Sequence, residues 1–390
     1  MRYVERRLEK HVAFALRQFP AVVLTGPRRS GKTCLLRHLL PDASYALLED
    51  PAVVARLRQD PEGFLDGLRT PAILDEVQNV PEVFAHVRAR IDRAPRRTGR
   101  WILTGSQEST LMRGVTESMA GRAAILQLWP FAFVESPKVS VLHGGFPEVV
   151  ARPRASSLWY SSYVQTYLER DVRSVINVHD LATFRRFMAL VASRHGQMLN
   201  KTDLATPLGM SVPGIAKWLD VLETTQQVLI VPPYFENLGK RLIKSPKVYL
   251  ADSGLACHLL GIETEGELAK SPFFGALFEG WIAAEIVKAQ ANAGRRREIY
   301  YFRAKEGLEV DFMIPGKGGS ATLIEAKSTR TPTPAMAAPL LKVAEALRAR
   351  RRGDVHSYVV HRASSQTRTH ALSPGVEAIT DHELFAMLGG

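Results

Sequence analysis

Short apolar runs alternate with helical periods in the first third of the chain. The apolar runs lie at Ala21–Thr25, Ser44–Leu48, Ala72–Leu74 and Trp101–Thr104. Between them, apolar positions recur at helical spacing, for example in Cys34–Leu40 and Pro81–Ile91. This alternation predicts βα units, with a buried parallel sheet and helices on both of its faces.

The pattern changes after residue 150. The helical periods at Ser156–Val175 and Thr183–Arg194 have no strand between them, which places a domain boundary near residue 150. Two short helices and a two-stranded hairpin follow, at Lys201–Leu208, Val212–Leu222, Val228–Val231 and Lys247–Leu250. Two helices joined by a glycine-containing turn and followed by a hairpin are typical of a winged helix-turn-helix.

From about residue 251 the pattern predicts an α+β domain. A helical stretch at Phe273–Gln290 precedes the first strand-like runs. The strand-like runs and a further helix lie at Ile299–Phe302, Glu309–Ile314, Thr322–Ala326, Ala335–Ala349 (the helix) and Ser357–Val360. We therefore predict three domains, at residues 1–150, 151–250 and 251–390.

The composition is that of a globular protein. The chain has 390 residues, of which 46% are hydrophobic and 23% charged, which excludes disordered and collagen-like proteins. Its two cysteines, Cys34 and Cys257, are too few for a disulfide framework. We find neither a signal-peptide pattern nor an apolar run of about 18 residues, and we expect a cytoplasmic protein without membrane contact.

The chain carries an excess of basic residues. The formal net charge is +12, from 51 Lys and Arg against 39 Asp and Glu, and residues 151–250 hold 13 basic and 7 acidic side chains. This excess permits a polyanionic partner, but it equally fits a solvated basic surface.

A phosphate-binding loop is predicted at residues 26–33, whose sequence is Gly26-Pro27-Arg28-Arg29-Ser30-Gly31-Lys32-Thr33. It matches G-x-x-x-x-G-K-[ST] between the apolar strand Ala21–Thr25 and a predicted helix at Thr33–Leu40. Backbone N–H groups of such a loop bind polyphosphate, Lys32 contacts the β- and γ-phosphates, and the Thr33 hydroxyl binds Mg²⁺. The expected ligands are ATP and Mg²⁺, and Cys34, directly after the loop, is also predicted to contact the nucleotide.

An acidic pair ends the apolar run Pro71–Glu76. Asp75 is predicted to bind the Mg²⁺, directly or through water, and Glu76 to orient and deprotonate the attacking water. In isolation, such a pair at a strand end would more often be a solvated turn. Its place downstream of a complete phosphate-binding loop favours the functional interpretation.

Three further side chains are candidates for catalysis. Thr104 ends the apolar run Trp101–Thr104, and Ser106 lies two residues further on. Either could position water near the γ-phosphate, although a helix N-cap is an alternative. Arg122, in the sequence SMAGR, could act as an arginine finger on the γ-phosphate of a neighbouring subunit. The alternative is a solvated arginine after a helix C-cap glycine.

In this order, the segments GPRRSGKT, AILDEVQ, ILTGSQ, ESMAGR, GGFPEVV and YVQTYLERDV resemble AAA+-superfamily ATPases of the AAA_14 type, whose C-terminal partner is DUF4143. The resemblance extends from about Tyr3 to about Lys327. It implies ATP hydrolysis, with a glutamate next to the magnesium-binding aspartate, and it favours Arg122 as a finger. It also makes Arg170 and Arg173 candidates for nucleotide contact, although charged helix faces are usually solvated. It implies no substrate.

The predicted winged helix suggests a nucleic-acid partner, with DNA favoured over RNA. Ser211 is expected to cap the second helix and Lys217 to lie on its exposed side. The basic side chains predicted to contact phosphate in the wing are Lys240, Arg241, Lys244 and Lys247. Winged helices also serve as protein-packing modules, so both roles stay open.

The last third holds a possible second active site. Asp311 and Glu325 lie on two strand-like runs, Lys327 follows the second, and Glu279 lies on the preceding helix. This set resembles the PD-(D/E)XK nuclease core, in which carboxylates share a divalent metal, Mg²⁺ or Mn²⁺, and the lysine activates water. The alternative is a restriction-endonuclease-like fold retained for binding or assembly.

Two functional hypotheses follow from these motifs. The first is an oligomeric ATPase that acts on DNA and carries a possible metal-dependent nuclease domain. The second is an ATP-dependent switch or scaffold, whose C-terminal domain binds protein or nucleic acid without cutting it.

Overall fold

The computed structural model of the chain describes residues 3–105, 118–168, 181–234, 245–304, 306–349, 353–363 and 370–389. Three sheets organise these residues into an α/β fold, with five, three and six strands in chain order. Across the described ranges, no helix is both long and apolar enough to cross a membrane.

The N-terminal sheet is entirely parallel. Its strands are β1 (Ala21–Thr25), β2 (Ser44–Leu47), β3 (Ala72–Asp75), β4 (Trp101–Gly105) and β5 (Ala123–Gln127), in the order β2-β3-β4-β1-β5. Strands β1, β3 and β4 are buried along their whole length. A parallel strand covered on both faces has no polar side, which is why these strands form continuous apolar runs in the sequence.

The N-terminal helices are α1 (Glu9–Gln18), α2 (Lys32–Leu39), α3 (Pro51–Gln59), α4 (Pro61–Asp66) and α5 (Val83–Arg93), with a 3₁₀ turn at Val77–Asn79. Two of them begin at Asp-Pro pairs. The side chains of Asp50 and Asp60 accept hydrogen bonds from backbone N–H groups in the first turns of α3 and α4. Proline at the first helical position then costs no hydrogen bond, so these pairs fix the helix starts.

The middle region begins with helices α6 (Pro147–Ala151) and α7 (Ser156–Tyr163). A π-helical segment, Val164–Leu168, follows α7, and the rest of the predicted helix to Val175 lies outside the described residues. Helix α8 (Leu181–Ser193) matches the predicted second helix.

A three-stranded antiparallel sheet organises the rest of the middle region. Its elements are β6 (Gln197–Met198), α9 (Lys201–Ala205), a 3₁₀ turn (Thr206–Leu208), α10 (Val212–Thr224), β7 (Val228–Val231) and β8 (Lys247–Leu250). The sheet order is β6-β8-β7. Ser211 caps α10 as predicted, since its hydroxyl accepts a hydrogen bond from the Gly214 N–H at 3.2 Å.

The C-terminal region is a mixed sheet with helices. Its helices are α11 (Ser253–Leu259), α12 (Glu265–Lys270), α13 (Phe274–Asn292), α14 (Ala338–Arg348) and α15 (Asp381–Leu388). Its strands are β9 (Tyr300–Arg303), β10 (Glu309–Pro315), β11 (Ala321–Lys327), β12 (Val355–His361), β13 (His370–Ser373) and β14 (Val376–Thr380), in the order β13-β14-β12-β11-β10-β9. Neighbours β11-β12 and β12-β14 are parallel, and the other pairs are antiparallel.

One hydrophobic core joins the middle and C-terminal regions. A single cluster of buried side chains runs from Trp129 to Phe385 and includes residues of α8, α10, β8, α13, β11 and β12. Helix α13 lies at its centre, because this helix is apolar on nearly all faces. The core therefore continues across residue 250.

Candidate functional site

The loop at residues 26–33 joins β1 to α2, as the motif predicts. Gly26 and Gly31 have φ values of 150° and 98°, which side chains with a Cβ rarely adopt. A Cβ at Gly26 would also collide with the carbonyl oxygen of Leu128. The curl of the loop therefore depends on both glycines.

Lys32 lies inside this loop. Its side chain is buried, and Nζ donates hydrogen bonds to the carbonyl oxygens of Gly26 (2.9 Å) and Pro27 (3.0 Å). These contacts place a positive charge where the loop can surround a phosphate.

The other loop residues have mixed environments. Ser30 is fully buried, and its Oγ has no hydrogen-bond partner among the described residues. Arg29 has a left-handed backbone (φ 62°) and lies 3.7 Å from the Glu148 carboxylate. Arg28 is half-buried, and Cys34 is exposed at the start of α2.

Three hydroxyl groups donate hydrogen bonds to the Asp75 carboxylate at the end of β3. Thr33 Oγ1 and the Tyr45 hydroxyl each donate to its Oδ2 at 2.7 Å, and Thr104 Oγ1 donates to its Oδ1. The Thr33 hydroxyl and the Asp75 carboxylate thus adjoin each other next to the loop, although 42 positions separate them. Oxygen ligands of this kind suit Mg²⁺, so Thr33 and Asp75 would hold that ion.

Tyr45 was not among the sequence-derived candidates. Burial, together with the nearby Asp75 carboxylate, raises the pKa of the Tyr45 hydroxyl, which therefore stays a hydrogen-bond donor. Because Tyr45 lies on β2, the strand next to β3, the contact depends on sheet order, which no motif encodes.

Glu76 follows Asp75 in a left-handed conformation, with φ 60° and ψ 46°. The side-chain amide of Gln78 donates to its carboxylate, and Asn79 Nδ2 donates to its backbone carbonyl at 3.1 Å. The chain thus turns sharply where the strand ends, and Gln78 restrains the carboxylate. Sequence reasoning did not identify Gln78.

Thr104 is fully buried and bonded to Asp75, which makes it a residue that positions that carboxylate. Its predicted contact with the γ-phosphate stays a prediction. Ser106, Arg170 and Arg173 lie outside the described residues.

Arg122 lies at the opposite end of the sheet from the loop. It directly precedes β5, and its carbonyl accepts a hydrogen bond from Ala21, the first residue of β1, whereas the loop follows the last residue of β1. Strand β1 has five residues, so its two ends lie about 13 Å apart. The guanidinium instead pairs with both carboxylate oxygens of Asp92, at 2.6 and 3.1 Å, and is about one-third exposed.

Arg6 links the phosphate-binding loop to the segment that follows strand β5. Its buried guanidinium donates to the carbonyl oxygens of Ser30 (2.9 Å) and Trp129 (2.6 Å) and pairs with Glu135 at 3.1 Å. The sequence gives no signal for this role, because one arginine among many near the N-terminus matches no motif.

The four predicted nuclease-site residues lie close together. Asp311 on β10 accepts a hydrogen bond from the Ala326 N–H on β11 at 2.9 Å, and Lys327 Nζ lies 2.6 Å from Glu325. Burial, and then the charge of Asp311, raise the pKa of Glu279 and of Glu325 to about 7.

The prediction that Lys247 contacts phosphate from an exposed wing is wrong. Its side chain is only 4% exposed, and Nζ lies 2.8 Å from Glu279, 2.6 Å from Glu309 and 3.5 Å from Asp311. Burial alone would lower the pKa of this lysine, but the carboxylates outweigh it and raise the pKa.

The C-terminal cluster does not fit the predicted second metal. The Lys247 ammonium lies where its carboxylates converge, and Glu325 is paired with Lys327. Within the part of the chain that the structure describes, no group of three or more His, Cys, Asp or Glu side chains is arranged to hold a metal ion.

Three family models match successive parts of the chain. Family models described as AAA domain, domain of unknown function DUF8612 and domain of unknown function DUF4143 match residues 18–136, 136–266 and 274–378. Uncharacterized proteins of Mycobacterium tuberculosis and Mycobacterium bovis are each 33% identical over 328 residues, which cover 82% of this chain and 73% of each relative. A Walker-type ATPase of Pyrococcus abyssi is similar in structure, with 15% identity, 65% of this chain and 94% of that chain covered, and a TM-score of 0.44.

Proposed function

Because the chain belongs to the family of proteins that join an AAA domain to DUF4143, we propose that it binds ATP with Mg²⁺ and hydrolyses it. The observation that carries the proposal is the contact between Thr33 and Asp75 beside the buried Lys32. A metal-binding pair, a phosphate-binding cation and a glutamate directly after Asp75 are the parts that phosphoryl transfer requires.

Each residue has a separate task in this proposal. Backbone N–H groups of residues 26–33 and the Lys32 ammonium bind and orient the polyphosphate. Thr33 and Asp75 would hold Mg²⁺, which would neutralise the negative charge of the phosphate groups. Tyr45 and Thr104 fix the Asp75 carboxylate by donating to its two oxygens.

Glu76 is the proposed general base. Its carboxylate orients the attacking water and accepts a proton from it, while the Gln78 amide restrains that carboxylate. The left-handed turn at Glu76 sets this second carboxylate apart from Asp75. Asp75 can therefore bind the metal ion while Glu76 orients the attacking water.

Loss of the Lys32 ammonium tests the assignment. We expect Lys32→Ala to lower ATP turnover at least about 10²-fold, because a charge-assisted contact to the transferred group is lost. Steady-state phosphate release measures it, with Lys10→Ala, an exposed lysine on α1, as the matched control. Chelating Mg²⁺ should stop the wild-type reaction. Normal turnover in Lys32→Ala or without Mg²⁺ would contradict the proposal.

Arg122 is proposed to act on the nucleotide of a neighbouring subunit. Its place at the far end of the sheet supports this, since an arginine side chain of about 7 Å cannot span the roughly 13 Å to the loop of its own chain. Self-association is thus part of the proposal. The pair with Asp92 lies on a partly exposed surface, which a neighbouring subunit can reach.

DNA binding by the middle region stays a prediction. The order of α8, β6, α9, α10, β7 and β8 supports the predicted winged helix. Of the predicted phosphate contacts, Lys217 is exposed, Lys247 is buried, and Lys240, Arg241 and Lys244 lie outside the described residues. Metal-dependent DNA cleavage is not proposed, because the C-terminal cluster does not fit the metal.

A further inference from the structure

Strand β8 of the middle region supplies two donors to the C-terminal carboxylates. Lys247 Nζ contacts Glu279 at 2.8 Å, and the Tyr249 hydroxyl donates to the same Oε1 at 2.5 Å. Glu279 lies on α13, so these bonds join the small antiparallel sheet to the central helix of the shared core.

Lys247 also reaches the mixed sheet. Its Nζ lies 2.6 Å from Glu309 and 3.5 Å from Asp311, both on β10. Arg303 on β9 neutralises the other oxygen of Glu309 at 3.0 Å. The Lys247 ammonium therefore contacts three carboxylates, one on α13 and two on β10. These carboxylates lie about 30 to 60 positions after β8 in the chain.

Electrostatics require a cation at this place. Lys247 and Asp311 are more than nine-tenths buried, and Glu279 and Glu309 are largely shielded from water. Carboxylates brought together away from water repel one another unless a positive charge lies among them. The protein can meet that need with a bound metal ion or with its own ammonium group.

The geometry favours the ammonium. A divalent metal needs several oxygen ligands at about 2.0–2.6 Å, which must converge on one empty point. Here Nζ occupies the convergence point of Glu279, Glu309 and Asp311. The remaining Asp311 oxygen accepts the Ala326 N–H, and one Glu325 oxygen pairs with Lys327.

We propose that the Lys247 ammonium is the cation of the cluster formed by Glu279, Glu309 and Asp311, in the place of a divalent metal. Its contacts link strand β8 to helix α13 and strand β10. The cluster is then an internal ion-pair junction between the middle and C-terminal regions. This junction needs no metal ion, because the Lys247 ammonium supplies the positive charge.

Manganese binding tests the proposal on the full-length chain without nucleotide. Titration with Mn²⁺, followed by electron paramagnetic resonance of the free ion, should show no stoichiometric site in the wild type that depends on Asp311. Lys247→Met removes the charge at similar length, and we expect its affinity for Mn²⁺ to rise at least about tenfold. Adding Asp311→Asn to this variant should abolish the gain.

Two results would overturn the proposal. One is a wild-type chain that binds one Mn²⁺ ion and loses it in Asp311→Asn. The other is a folded Lys247→Met chain with the Mn²⁺ affinity of the wild type. Lys201→Met, which changes an exposed lysine on α9, is the matched control. If Lys247→Met does not fold, the wild-type and Asp311→Asn titrations alone decide. ATP hydrolysis is measured separately and does not depend on this outcome.

Discussion

We expect the Arg122→Ala variant to turn over ATP about 10³-fold more slowly than the wild type, the lower end of what arginine fingers contribute. Charge spreads over the γ-phosphate oxygens in the transition state, and a guanidinium there stabilises it. Arg122 lies too far from the loop of its own chain to do this, so the effect should arise between subunits.

Mixing two inactive variants separates this role from a structural one. Lys32→Ala retains Arg122 but lacks the phosphate-binding ammonium, and Arg122→Ala has the reverse defect. A mixture forms some interfaces with an intact loop on one chain and an intact arginine on the other, so turnover should recover at least about tenfold over either variant alone.

The control for Arg122 is Arg93→Ala, an exposed arginine next to Asp92 on α5. We expect it to leave turnover unchanged. A mixture no more active than its separate components, or an Arg122→Ala chain as active as the wild type, would refute action between subunits.

Replacing Glu76 by glutamine should lower turnover about 10²- to 10⁴-fold, the usual contribution of a general base. The amide has nearly the shape of the carboxylate but cannot accept the water's proton. Lys32, Thr33 and Asp75 are untouched, so ATP should bind with an affinity close to that of the wild type.

Measuring binding and turnover in the same preparation distinguishes a base from a binding residue. A fluorescent ATP analogue gives the affinity and phosphate release gives the rate, with Glu82→Gln as an exposed carboxylate control. If Glu76→Gln loses ATP binding in proportion to turnover, Glu76 is not the base.

Much of the N-terminal fold was predictable from the sequence. The bounds of β1 were predicted without error, and those of β3 and β4 differ by one residue. These strands are buried on both faces, so they form short apolar runs that stand out between polar loops. The phosphate-binding loop was predictable because its chemistry requires fixed residue types at fixed spacing.

The partners of the site were not predictable in the same way. Tyr45 contacts Asp75 because strands β2 and β3 are neighbours in the sheet. Gln78 contacts Glu76 because the chain makes a left-handed turn at Glu76. Arg6 contacts the loop from a segment 24 positions earlier in the chain. Such contacts leave no periodic or spacing signal. Strands β13 and β14 were also missed, because their sequences, HALS and VEAIT, include polar positions and form no continuous apolar run. Helix α15, which is eight residues long, was missed as well.

Lys247 shows where sequence reasoning failed. A lysine in a basic stretch is usually solvated, and its position before an apolar run fitted a wing. Its burial depends on Glu279, Glu309 and Asp311, which are 32 to 64 positions further along the chain. Glu279 and Asp311 were among the side chains predicted to lie together, but Glu309 and the shared counter-ion Lys247 were not identified as members of the cluster.

The most direct test of ATP hydrolysis at this site is a single-turnover reaction of the wild-type chain. The protein is held in excess over ATP, Mg²⁺ is added to start the reaction, and γ-phosphate release is followed together with that of Glu76→Gln. We expect all bound ATP to be cleaved by the wild type, and at least about 10²-fold more slowly by Glu76→Gln. Intact ATP in the wild-type reaction, or equal rates in the two proteins, would contradict the account.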